Sequence, residues 1–440
     1  MTKLTKYSKH KNSNIEHLNE VPTQWEIVKF KYLFTFSKGL NITKENLQEI
    51  GIPCINYGEI HSKYGFEIIP EKHHLKCVSK DYLLNSKKSL LKYGDFIFAD
   101  TSEDISGSGN FTYLNSNKEI FAGYHTVIAT TIYQQNIRFL AYLIDSISYR
   151  TQIRKKVKGV KVYSITNSIL KDTLLWIPQK KEQQKIANYL DQKTKKIDNS
   201  IIQKKELVKL LKERQQILIN DAITKGIDNS VQFKESNIQW LGKVPKHWEI
   251  RKGKYLFVEV DERSKDGKEE LLSVSHMTGV TPRSEKNVTM FMSEDYTGSK
   301  TCQKDDLVIN IMWAWMGALG ISDREGIVSS SYGIYRQRET NTFNSSYLEY
   351  LLGTNDYIAE YNRRSTGLHV SRLRLYSDMF LDMKIATPPI EEQNAIINFI
   401  KENNSKINKA INIQEQQIKL LEELKETLID SCVTGKVKVP

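Results

Sequence analysis

The chain has 440 residues, 39% of them hydrophobic and 10% aromatic, which is enough for two or three packed domains and too apolar for a disordered polymer. Lys and Arg number 64 against 52 Asp and Glu, and the net charge of +12 points to a polyanionic partner, most simply nucleic acid. The longest apolar run, Val308–Ile321, holds Asn310 and falls short of the roughly 20 residues a membrane helix needs.

In chain order, residues 25–36 open with a short amphipathic segment. Residues 40–135 are broken by Gly, Asn, Asp and Ser, with strand-like runs such as Asp95–Ala99. Residues 138–157 place Phe139, Leu140, Leu143, Ile144 and Ile147 at helical spacing and stop at Gly159. A long stretch without Gly or Pro then runs to about residue 225. Its heptad seam is Leu190, Ile197, Lys204, Leu211 and Leu218, with Thr194, Ile201, Val208, Gln215 and Ala222 beside it.

After residue 228 the order repeats. Residues 236–257 match residues 13–34 at 14 of 22 positions with a constant offset of 223. Val244-Pro245 and Trp248 stand for Val21-Pro22 and Trp25. Residues 258–337 are again broken, with Leu307–Ile311 strand-like; Trp313 and Trp315 alternate with apolar neighbours and are expected in the core. The acidic pairs Asp305-Asp306 and Glu269-Glu270 are expected in solvated turns. Residues 346–365 repeat the helical stripe and stop at Gly367. The second seam, 210 residues after the first, is Ile400, Ile407, Gln414, Leu421 and Leu428 with Asn404, Ile411, Ile418, Lys425 and Cys432. The polar interruptions recur at the same places. A 3.5-residue repeat means coiled-coil packing. Two copies of one frame predict that the helices pair antiparallel about a pseudo-twofold axis, with about 33 residues in each.

The expected fold class is therefore mixed α+β. Two globular α/β domains (1–178 and 229–388) are separated by two long helices (179–228 and 389–440). The flanks of the copies agree and their middles do not.

Catalytic motifs are missing from the sequence. It holds no GxxxxGK[ST] loop, no GxGxxG, no HExxH and no [ND]PP[YF] tetrapeptide, Thr387-Pro-Pro-Ile being the nearest. His73-His74 is a poor ligand pair. Cys54, Cys77, Cys302 and Cys432 form no CxxC, so neither a zinc site nor a disulfide framework is expected. The opening residues carry no hydrophobic signal region, which reads as cytoplasmic. The basic clusters are more informative. Arg150, Arg154, Lys155, Lys156, Lys158 and Lys161 surround Gly159 with no acid among them; Arg363, Arg364, Arg372 and Arg374, with His369, surround Gly367. Such runs suit phosphate contact and groove entry. Part of each also suits a helix end, where cations complement the dipole before a glycine.

The frame resembles the specificity subunit of type I restriction–modification systems. The matching residues are Val21-Pro22…Trp25, Pro178…Glu182-Gln183, Val244-Pro245…Trp248 and Pro388-Pro389…Glu392-Gln393, and the resemblance covers nearly the whole chain. The first copy lacks the second proline and ends Thr224-Lys-Gly226, where the second ends Thr434-Gly435-Lys436. The resemblance implies two target-recognition domains, each reading half of a split, asymmetric site in double-stranded DNA. It implies helices that act as spacers and dock two methylation subunits, with restriction subunits where present. S-adenosylmethionine, ATP and Mg would sit on those partners, and this chain would hold no cofactor or metal and would not be catalytic. A two-module scaffold for RNA or DNA outside restriction–modification remains the alternative, and a fused enzyme a more remote one. The charge excess lies in the first half: residues 1–228 hold 36 basic and 23 acidic side chains, and residues 229–440 hold 28 and 29.

Overall fold

A computed structural model of the chain describes residues 5–159, 161–286, 295–369 and 372–440. The chain forms two compact units, Met1–Lys205 with Glu415–Pro440, and Glu206–Gln414. Each is built on the same plan.

The first unit opens with an antiparallel hairpin, His10–Ile15 against Leu18–Pro22; the second has Phe233–Glu235 against Lys243–Pro245. Asn14 and Asn237 both take φ of 56°, a left-handed conformation that asparagine tolerates better than most residues. The serine before each accepts a hydrogen bond from the isoleucine after it, Ile15 N to Ser13 Oγ at 3.0 Å and Ile238 N to Ser236 Oγ at 3.1 Å. The repeated Ser-Asn-Ile is thus a turn with a physical reason for each residue. Trp25 and Trp248 follow, both buried.

The segment expected to be amphipathic is a strand, a single helical turn and the start of a second strand. Glu26–Lys29 pairs antiparallel with Leu174–Ile177, and Glu249–Lys252 pairs with Lys384–Thr387. These pairings tie the start of each repeat to the residues just before its long helix. The variable middles form the central sheets. In the first unit the order is 34–38, 126–131, 96–99, 111–114, 66–68; in the second it is 257–259, 332–337, 307–310, 319–321. The offset between the repeats falls from 223 before the middles to 210 after them, so the first middle is longer by the difference, and its fifth strand is one use of those residues.

The single stripe expected over 138–157 is two helices, Ile137–Asp145 and Ile147–Arg154, and its counterpart is Ser345–Leu352 and Asn355–Arg364. Periodicity continues across the break, but Ser146 is extended and its Oγ caps the second helix by accepting from Tyr149 N. Thr354 stands at the same place in the second unit.

The long helices span Lys180–Lys225 and Ile390–Val433, 46 and 44 residues, longer than the seam alone suggested. Their pairing is antiparallel. In the first unit Lys425 Nζ donates to Asp198 at 2.7 Å, and Lys205 faces Glu422. In the second unit Gln215 Nε2 donates to Asn404 at 3.0 Å and to Asn408 at 3.2 Å. Lys425 and Gln215 are equivalent, as are Asp198 and Asn408, so one cross-helix contact is ionic in one unit and an amide pair in the other. Leu190, Thr194, Ile201, Ala222, Ile400, Ile411 and Cys432 are buried; Ile197, Val208, Leu211, Leu218, Ile407, Ile418, Leu421 and Leu428 are half-buried. Their neighbours off the seam are mostly exposed. Each helix also leaves apolar residues in solvent: Ile202, Leu420 and Leu424 in the first unit, and Leu207, Leu210 and Ile217 in the second.

Helix ends join the cores. Ile186, Leu190, Cys432 and Val433 pack with Trp25, Phe30 and Trp176; Ile223, Ile396 and Ile400 pack with Trp248, Phe257 and Tyr347. Trp176 Nε1 donates to Val433 O at 2.6 Å, and Tyr347 Oη donates to Ile223 O at 2.9 Å. The inverted Thr-Lys-Gly and Thr-Gly-Lys endings do the same work, because Gly226 (φ 79°) and Gly435 (φ 74°) both end their helices left-handed. A Cβ on Gly435 would lie 2.4 Å from Pro22, and one on Gly226 would lie 2.9 Å from Glu392.

Candidate nucleic-acid interface

The Glu-Gln pair of each repeat is a clamp. Gln183 is buried; its Oε1 accepts from Asn136 N at 3.0 Å and its Nε2 donates to Pro178 O at 2.9 Å. Gln393 accepts from Asn344 N at 2.9 Å and donates to Pro388 O and Thr342 O, both at 2.9 Å. Asn136 and Asn344 in turn cap the helix that follows by accepting from Phe139 N and Tyr347 N. One buried amide therefore fixes the start of the long helix against the helices that lead to the basic loop. Glu392 accepts from His247 and from Trp248 Nε1, whereas Glu182 accepts from Tyr7.

The basic clusters divide into two groups. The first group is engaged by partners within its own unit. Arg150 is partly buried, bonds the Asn110 side chain and lies 3.7 Å from Asp145; Arg154 donates to Ser106 O at 2.6 Å. Lys155 pairs with Glu16, and Lys156 with Asp172 at 2.6 Å. In the second unit Arg363 and Arg364 both bind Glu360, whose side chain is 1% exposed, at 2.6 and 2.5 Å. Burial raises the Glu360 carboxyl, and the two guanidiniums outweigh it, leaving it below its ordinary value. Arg364 also faces Asp382 at 3.6 Å. Asp172 and Asp382 are equivalent, and each takes a second cation, Lys29 at 2.8 Å and Lys252 at 2.5 Å. The hydrogen bonds from Lys156 and Lys29 bring the Asp172 pKa down to about 2.

The second group points outward. Lys158, Gly159 and Lys161 in the first unit, and Gly367, His369 and Arg372 in the second, are exposed, and Arg374 is half-buried. Lys158, Lys161, Arg372 and Arg374 take part in no ion pair among the described residues. Both glycines are needed sterically. A Cβ on Gly159 would lie 2.1 Å from Val162 O, and one on Gly367 would lie 2.4 Å from Arg372 O. Thr366 and Arg374 exchange both backbone hydrogen bonds across the second loop, at 3.1 and 2.9 Å.

A second loop lies against each basic loop. Ile165 N donates to Asp100 O at 2.7 Å, and Leu375 N to Ile311 O at 3.0 Å. These are the turns that leave strands 96–99 and 307–310. In the first unit that turn is polar. Glu103 and Asp104 line a cavity of about 650 Å³ with His61, Tyr57 and Val162. In the second unit it runs Ile311-Met-Trp-Ala-Trp-Met-Gly317. Trp313 is 51% exposed, which corrects its expected place in the core. Ala314 takes the buried position instead, because a one-turn helix over Ala314–Met316 replaces strand alternation. Trp315 is half-buried, with its Nε1 on Met312 O. Asp306 is also corrected: it is buried and bound by Arg336 at 2.8 Å through two nitrogens. The signal that could have placed Trp313 outside is Gly317, whose φ of 82° turns the chain back.

Among the described residues no group of three or more His, Cys, Asp or Glu could hold a metal, and no helix is long and apolar enough to cross a membrane. All four cysteines are buried and free, and burial pushes the Cys432 thiol up to about 12.

Residues 22–210 match the family described as the type I restriction modification DNA specificity domain. A putative type I restriction enzyme MjaX specificity subunit from Methanocaldococcus jannaschii is 22% identical over the full length of both chains. The MjaVIII specificity subunit of the same organism is 25% identical over 48% of each chain. Among solved structures, a chain from a study of complex assembly and conformational transition of the type I R-M system shares the fold with a TM-score of 0.64 at 14% identity. It covers 94% of this chain and 99% of its own. The HsdS subunit from Thermoanaerobacter tengcongensis matches with a TM-score of 0.53 at 15% identity over 94% and 98%. None of these four points to a nucleic-acid scaffold outside restriction–modification.

Proposed function

The chain is a non-catalytic specificity subunit of the type I restriction–modification family, and from that premise we propose how its two units divide the work. Each unit reads one half of a bipartite, asymmetric site in double-stranded DNA. The repeated frame carries this reading: the same clamp, cap and turn hold unlike loops in the two copies, as a reader of two unlike half-sites requires.

The outward cations Lys158, Lys161, Arg372 and Arg374 contact phosphates. Arg150, Arg154, Lys155, Lys156, Arg363 and Arg364 act behind them, holding the loops in place. The paired helices set the half-site spacing. At 1.5 Å per residue they are about 69 and 66 Å long, enough to cover half-sites one duplex turn, about 34 Å, apart. Two methylation subunits dock on the exposed apolar residues of the helices, with Leu210 and Leu420 at equivalent positions. S-adenosylmethionine, and ATP and Mg where restriction subunits join, belong to those partners. The complex works in the cytoplasm, where the genome is.

A matched deletion of residues 205–211 and 411–417 tests the spacer. It removes one heptad from each helix, about 10 Å. Mapping of methylated adenines should then show a shorter gap between unchanged half-sites. An unchanged gap refutes the role of the helices.

A further inference from the structure

Trp313 stands out once the clusters are sorted. Single exposed apolar residues are common on proteins. This one is fixed on both sides. Trp313 N donates to Asn310 O at 2.9 Å, and Trp313 O accepts from Met316 N at 2.9 Å and Ala318 N at 3.2 Å. Asn310 is itself buried and bonds Tyr332 Oη and Met312 N. The next residue, Ala314, is fully buried. The indole is therefore presented to solvent by a turn anchored in the core. The backbone hydrogen bond from Leu375 to Ile311 places that turn beside the segment that carries Arg372 and Arg374.

An apolar group on an anchored turn, beside arginines that take part in no ion pair among the described residues, suits a base edge flanked by phosphates. Pre-ordering removes much of the entropic cost of such a contact. On the floor of the major groove the apolar feature is the 5-methyl group of thymine. We propose that Trp313 is a specificity-determining residue of the second unit, laying its indole against a thymine methyl in the second half-site. This rests on the specificity-subunit reading. The equivalent turn of the first unit carries Glu103 and Asp104, so the contact belongs to one half of the site alone.

The test uses the complex assembled with its methylation subunits. Its methylated motif supplies the DNA probes, in which deoxyuridine replaces each thymine of the second half-site in turn. With the wild-type chain, one replacement should weaken binding about fourfold, the transfer value of one methyl-sized group. Trp313→Gln and Trp313→Ala should bind thymine and uracil probes equally and lose the thymine preference at that position, with the other half-site unchanged. Trp313→Phe should keep part of the discrimination, and it guards against misfolding of the smaller variants. The proposal is overturned if Trp313→Gln keeps both the motif and the full uracil penalty. It is also overturned if the preference lost lies in the first half-site. If the wild-type complex gives no split methylated motif, the specificity-subunit reading itself fails, which is a distinct result.

Discussion

Arg150 and Ile358 occupy the same helix position in the two units, four residues after the caps Ser146 and Thr354. Both meet the turn that leaves the central sheet. Arg150 does so by bonding Asn110 in a polar loop. Ile358 does so by packing on Gly317, where an added Cβ would lie 2.8 Å from its Cδ1. The backbone geometry is kept while the chemistry of the contact is exchanged. The same exchange occurs between the helices, where Lys425–Asp198 stands for Gln215–Asn408. A repeated frame can therefore carry two unlike surfaces, provided each supplies its own internal partners.

The comparison can be broken at several points, in decreasing order of effect. Gln393→Ala should cost about 3 kcal/mol, because it leaves the buried carbonyl of Pro388 and the part-buried backbone groups of Asn344 and Thr342 without their partner. Gln183→Ala should cost a similar amount, and chemical denaturation of each variant checks this. If only one is sensitive, the clamps are not equivalent.

Arg364→Ala should cost about 2 kcal/mol, since Glu360 is buried and loses one of its two guanidiniums. Lys156→Ala should be nearly silent by the same measurement, because its partner Asp172 is exposed. Lys155-Lys156 and Arg363-Arg364 occupy corresponding positions, yet only the second pair sits on a buried acid.

Arg372→Ala with Arg374→Ala should leave stability within about 0.5 kcal/mol of the parent. DNA affinity should fall about tenfold, and the salt slope should flatten by about 2. Lys158→Ala with Lys161→Ala should act alike in the first unit. Binding titrations at several salt concentrations give both numbers.

The smallest effect is with pH. The pKa of Asp172 is lowered on folding, so its ties to Lys29 and Lys156 add stability above the ordinary value of 3.8 and lose it as pH falls toward about 2. An NMR titration of the carboxyl should show that depressed midpoint, and Asp382 should be lowered too.

Much of the fold was legible because the chain compares itself with itself. The Ser-Asn-Ile turns, Trp25 and Trp248, the Gln clamps and the heptad seams all showed as repeated residues with local causes. What periodicity could not show is a change of backbone that preserves the apolar pattern. The break at Ser146 continues the helical stripe, and the turn at Ala314 interrupts an alternation that reads as strand. The basic runs were visible as runs, and in the second unit Glu360 stands at helical spacing before Arg363 and Arg364. In the first unit Glu16 is distant from Lys155 and Asp172 follows the loop after Lys156, so there sequence spacing could not separate the anchoring cations from the outward ones.

The most direct test exchanges residues 258–337 for the corresponding stretch of another specificity subunit and maps methylated adenines with the assembled complex. The account predicts that one half of the motif changes while the other half and the gap stay as they were. A change in both halves, or in neither, would contradict the assignment of one half-site to each unit.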